Sequence, residues 1–77
     1  MATTLLSAGS VLTLVQNQVY ALPARMCRVR ATGAIESSPD GDVSNFAAVT
    51  LSNNEADLGS GFLRTTAIGV ILSIKTH

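Results

Sequence analysis

Ala34-Ile35-Glu36-Ser37-Ser38-Pro39-Asp40-Gly41-Asp42-Val43-Ser44-Asn45-Phe46-Ala47-Ala48-Val49-Thr50-Leu51 decides the fold class of this chain. It reads as a strand, a tight turn and a strand. Pro39-Asp40-Gly41 is a turn with a mechanism: proline presets φ, aspartate bonds its own backbone, and glycine accepts positive φ. The polar run from Ser37 to Asn45 then gives way to Phe46-Ala47-Ala48-Val49-Thr50-Leu51, where Phe, Val and Thr favour a pleated surface.

The flanking sequence is more apolar and also reads as strands. Ser10 to Val15 alternates Val11, Thr13 and Val15 with Leu12 and Leu14, apolar on both faces, which implies burial on both sides or one face turned to another subunit. Gln16-Asn17-Gln18 is a turn. Val19 to Leu22 is a strand stopped by Pro23, which cannot donate to a ladder. Arg25 to Ala31 is a half-buried strand, with Cys27, Val29 and Ala31 opposed to Met26, Arg28 and Arg30. Thr32-Gly33 breaks the chain before the central hairpin. Ser52 to Gly61 is the most loop-like segment, with a helical turn at Glu55 to Leu58 as an option. Phe62 to Thr65 is a short strand. Ile68 to Lys75 carries Ile68, Val70, Leu72 and Ile74 on one unbroken apolar face, the pattern of a central core strand. The whole predicts an all-β domain, a small antiparallel β-sandwich or barrel of six to seven short strands. Residues 10–77 form the domain, and residues 1–9 an N-terminal arm or edge strand.

Seventy-seven residues make one domain. At this size a chain buries only about 60% of its unfolded surface. Small domains add disulfides, a metal or oligomerisation. One cysteine allows no internal disulfide, and one cysteine with one histidine is a poor basis for a zinc site. Oligomerisation is the support that remains. Apolar residues make up 47% of the chain and charged ones 13%, so part of the apolar surface is expected to cover a partner. Formal net charge is zero, which argues against nucleic acid. The charges are sorted along the chain: Arg25, Arg28 and Arg30, then Glu36, Asp40, Asp42, Glu55 and Asp57, then Arg64 and Lys75. That sorting suits a head-to-tail contact between copies, or else these are solvated turn and edge residues. Met1 to Leu6 lacks a basic n-region, and the apolar tract Ala67 to Ile74 falls far short of the ~20 residues a membrane span needs. A soluble protein made in a cytoplasm is expected.

Little of the chain carries chemistry. His77 is the last residue, where a general base is not held in register. Cys27 stands on the apolar side of its strand and reads as packing. Asp40-Gly41-Asp42 resembles half a calcium loop, but Phe46 and Ala47 fall where further ligands belong, and turn chemistry accounts for Asp40 and Gly41. Gly59-Ser60-Gly61 precedes a strand, whereas phosphate loops precede a helix. Arg28, Arg30 and Arg64 form a basic set with no stacking platform among Tyr20, Phe46 and Phe62. No catalytic residue, metal site or cofactor is expected.

Three pieces occur together: Tyr20-Ala21-Leu22-Pro23-Ala24, the Ser37 to Gly41 turn leading to Phe46-Ala47-Ala48-Val49, and Phe62 to Thr66 followed by a last apolar strand. This order, across roughly residues 10–75, resembles small proteins of tailed bacteriophages that decorate or cement the capsid. The likeness lies in the scaffold, so no binding residue is carried over. It implies a structural, non-enzymatic protein of the virion, made in the host cytoplasm and placed on the capsid surface. It further implies trimers that bridge subunits of the major capsid protein. Closed cyclic symmetry would explain the stability of so short a chain. The surface assigned to self-association is Leu12, Leu14, Leu63 and Ile71. The surface assigned to the capsid partner is Thr3, Thr4, Leu5 and Leu6 of the arm, with Arg28 and Arg30. The competing readings are a glycan- or ligand-binding β-module of a phage tail or head fibre and a small nucleic-acid-binding barrel. An enzyme ranks last.

Overall fold

The computed structural model describes residues 3–23 and 27–76. Met1 and Ala2 of the expected arm, Ala24 before the third expected strand, Arg25 and Met26 within it, and the terminal His77 lie outside the described residues. The described chain is all-β, with no helix. It forms β1 (Thr4–Leu5), β2 (Val11–Thr13), β3 (Val19–Ala21), β4 (Cys27–Ala31), β5 (Ile35–Pro39), β6 (Val49–Leu51), β7 (Glu55–Leu58), β8 (Gly61–Thr65) and β9 (Ile71–Thr76). One sheet has the order β1-β3-β8-β5-β6 and the other β2-β9-β4-β7. Their buried faces share one core, an arrangement compatible with a β-sandwich.

Nine strands replace the expected six or seven. Beyond that count lie β1, which the expected arm or edge strand of residues 1–9 allows for, and β7. Thr4–Leu5 forms an edge strand that runs parallel to β3, pairing Thr4 with Tyr20 and Leu5 with Ala21, the one parallel pair among the described residues. Glu55–Leu58, expected as loop or helical turn, is a strand paired with β4. The central hairpin also differs from expectation. β5 extends to Pro39, β6 starts only at Val49, and residues 40–48 form a long loop rather than a tight turn. Its first bend uses the predicted chemistry, since Asp40 and Gly41 both have positive φ.

Alternation decides what is buried. On β4, Cys27, Val29 and Ala31 point into the core while Arg28 and Arg30 face solvent. β9 lies between β2 and β4, the central position its pattern predicts, with Leu72 and Ile74 fully buried. Ile68 lies before β9 in an exposed turn rather than on the apolar face. β8 is the matching central strand of the first sheet, with Leu63 and Thr65 inside. Tyr20 is buried, and its phenol oxygen accepts a 2.8 Å hydrogen bond from the Val15 N–H, which ties the exit of β2 to β3 in the other sheet. Thr65, the most deeply buried polar side chain, donates to the Ala67 carbonyl at 2.7 Å, so its burial strands no hydroxyl.

Gly61 is the tightest point of the first sheet. A Cβ there would drive into the carbonyl oxygen of Ser38 on neighbouring β5, a backbone atom that cannot swing away. Gly59, two residues earlier, has open space around its missing Cβ and no positive φ. Gly61→Ala should therefore destabilise the fold by about 3 kcal/mol, within the usual cost of overpacking, while Gly59→Ala should stay within about 0.5 kcal/mol of wild type. Urea denaturation of both variants checks this, and equal midpoints would contradict the packing of β8 on β5.

Candidate functional site

The residues assigned to self-association separate. Leu12 is half-buried and Ile71 is 45% exposed, but Leu14 and Leu63 are 3% and 0% exposed and belong to the core. The physical reason is strand parity. Leu12 and Leu14 share the inward face of the β2 segment, which leaves Val11 and Val15 outside. Leu63 points inward because Phe62 and Arg64 take the outer face of β8, and it stands between Tyr20 and Ser37 in the centre of the sheet. Neither Leu14 nor Leu63 is available to a partner of the folded chain.

The outward face of β2 and β9 carries what the sequence reading missed. Val11 pairs with Ser73 and Thr13 with Ile71, so Val11 and Ile71 are diagonal neighbours on one face. The pairing continues past the strand, where the Leu14 N–H donates to the Val70 carbonyl at 2.8 Å, and brings Val15 and Ile68 to the same edge. Val11, Val15, Ile68 and Ile71 are 71%, 61%, 86% and 45% exposed. The signal was in the sequence, in the valines at positions 11 and 15.

Of the residues assigned to the capsid partner, Thr3, Thr4 and Leu5 are exposed, as are Arg28 and Arg30. Leu6 is buried in the core, and its N–H donates to the Ala21 carbonyl at 2.8 Å. The described part of the arm is thus the edge of a sheet with a leucine anchor. The sorted charges meet within one chain. Arg28 Nε donates to Asp57 Oδ1 at 3.1 Å, and this hydrogen bond raises the guanidinium pKa above its usual value. Arg64 reaches Glu36 at 3.3 Å. In register, Arg30 stands between Glu55 and Ser73.

The first sheet's outer face is covered in part by the loop 40–48. Phe46 is buried, and the Arg64 guanidinium lies 4.7 Å from its ring centroid. Arg64 Nε is buried without a hydrogen-bond partner among the described residues. The Ser38 hydroxyl donates to the Asp42 carbonyl. The Asp42 carboxylate accepts from the Ser44 hydroxyl at 2.5 Å and the Ser44 N–H at 3.1 Å, and these bonds hold its pKa below the usual carboxylate value. Tyr20 and Phe46 are buried and Phe62 is half-buried, so no aromatic ring stands open to stack a sugar or a base. Among the described residues no group of three His, Cys, Asp or Glu side chains could hold a metal ion. The chain has no match among protein-family models, curated proteins or solved structures.

Cys27 is buried in the core as a free thiol. Burial first, and the negative Asp57 second, push its pKa up. A raised pKa means that the fold favours the neutral thiol. That contribution is whole below the thiol's unfolded value and is lost as pH rises through the folded one. Stability should therefore fall at alkaline pH, beginning near about pH 8.5, and Cys27→Val should remove that part of the loss. Chemical denaturation of both proteins from pH 7 to 10 checks it, and parallel profiles would contradict it.

Proposed function

We propose that this chain is a non-catalytic structural protein that decorates a bacteriophage capsid, associating with copies of itself, as a trimer, and with the major capsid protein of the shell. The observation that carries the proposal is the exposed strip of Val11, Val15, Ile68 and Ile71 along the β2 edge of the second sheet. A domain this small has little apolar surface to leave in water, and a row of large aliphatic side chains on one edge is what a protein partner covers. The half-buried Leu12 flanks this strip from the inner face, so Leu12 and Ile71 stay in the self-association surface while Val11 and Val15 replace Leu14 and Leu63. The exposed Thr3, Thr4 and Leu5, on the opposite sheet's edge, and Arg28 and Arg30 remain open to the shell subunit. The glycan-binding alternative gains no support from three aromatic residues that are all buried or half-buried.

Light scattering behind a sizing column tests the self-association. The wild type should run as an oligomer near three times 8.0 kDa and persist on dilution. Val11→Asp and Ile71→Asp lie on the outer face and should yield folded monomers, with unchanged urea midpoints for the monomer's own unfolding. A wild-type monomer at all concentrations, or variants that stay trimeric, would overturn the assignment of this strip.

A further inference from the structure

A second feature lies on the side of the molecule away from that strip and does not depend on its role. A cleft of about 290 Å³ opens between β6 of one sheet and β7 of the other. Both are edge strands, each paired on one side only, so each offers unpaired backbone groups beside the cleft. Leu22, Val49 and Leu58 supply apolar walls. Ser37 also lines it. This residue is 6% exposed, and its hydroxyl has no hydrogen-bond partner among the described residues. The hydroxyl itself still meets solvent through the cleft, so a donor that enters can take the place of water on it.

Among the described residues the charged side chains that line the cleft are Asp40 and Asp57, both acidic. Asp57 is answered by Arg28, but no cation pairs with Asp40 among the described residues. Ser60 donates to Asp40 Oδ1 at 3.1 Å, which uses part of that carboxylate's accepting capacity and holds it in place. At 290 Å³ the cleft lies just below the range for pockets that enclose drug-sized ligands, roughly 300–1,000 Å³. It suits a single long side chain. An aliphatic stem matches the walls, and a cationic head matches Asp40 and the open acceptor of Ser37.

We infer that the cleft between β6 and β7 binds a lysine side chain presented by an extended segment of a partner protein. The stem lies between Val49 and Leu58, the ammonium donates to Ser37 and Asp40, and the segment's backbone runs along the free strand edges, as in strand addition.

Titration of the ¹⁵N-labelled full chain followed by two-dimensional NMR tests this. The probe is a capped five-residue peptide with a central lysine between valines and threonines. The same peptide with norleucine or glutamate in the centre, and n-hexylammonium chloride, serve as comparisons. The lysine peptide should give saturable shifts at the amides of Ser37, Val49 and Leu58. Asp40→Asn, which keeps the positive φ accessible and the acceptor for Ser60, should weaken binding about tenfold. Ser37→Ala, which leaves no hydroxyl unpaired, should weaken it as well. The glutamate peptide should give no saturable shift. No saturation with the lysine peptide, or equal affinity for the norleucine peptide, would overturn the inference. Binding of n-hexylammonium without binding of the peptide would also overturn it, in favour of a small-amine site.

Discussion

The structure depends on one constraint: the chain changes sheet at every connection except β5 to β6. The strands of the two sheets are therefore interleaved along the chain, and neither sheet has a core of its own. Val29, Leu72 and Ile74 from one layer and Ile35 and Leu63 from the other bury one another in a single cluster. For a chain of 77 residues without a disulfide, that shared interior replaces the cross-links other small domains use. The connections β1 to β2 and β6 to β7 pass from edge to edge and wrap the two sides of the stack. Since most pairings join strands distant in sequence, folding should be cooperative and slow for its size.

Burial on the inside leaves the two outer faces to be handled differently. On the first sheet the long loop returns, seats Phe46 over Arg64, and is held by Ser38, Asp42 and Ser44. Glu36 closes the same cluster from the side. On the second sheet nothing of the described chain returns over Val11 and Ile71. Toward β4 and β7 that face turns polar, with Arg28 and Asp57 paired and Arg30 opposite Glu55. An aliphatic strip bounded by charged residues has the layout of a protein contact: apolar at its centre and polar at its rim. The proposed role on a shell follows from this asymmetry together with the order of strands and turns that resembles capsid-decorating proteins.

Much of the fold was legible because strand parity is a strong signal. Cys27 to Ala31 and Val70 to Ile74 announce their buried faces by alternation alone, and both faces are as read. The bend at Asp40-Gly41 was legible from turn chemistry. One strand was not, and another was legible only as one of two options. Glu55-Ala56-Asp57-Leu58 contains residues that strands disfavour, and it pairs because Arg28 and Arg30 stand opposite its two acids, a cross-strand match invisible before the register is known. Thr4–Leu5 is too short to show a period, and its parallel partner is recognised only in three dimensions. The candidate surfaces suffered from the same limit. Alternation on Ser10 to Val15 marked two apolar faces, but only the assembled core decides that the leucines turn inward and the valines outward. The cleft, built from four separate parts of the chain, had no local signature at all.

The most direct test of the structural role is to find the chain where it works. Cells that carry its gene would be induced to release particles, and these would be labelled with antibody against this chain and examined by electron microscopy. A regular array of label over the particle shell, at many copies per particle, is the result the account predicts. Label confined to the soluble fraction, with bare shells, would contradict it.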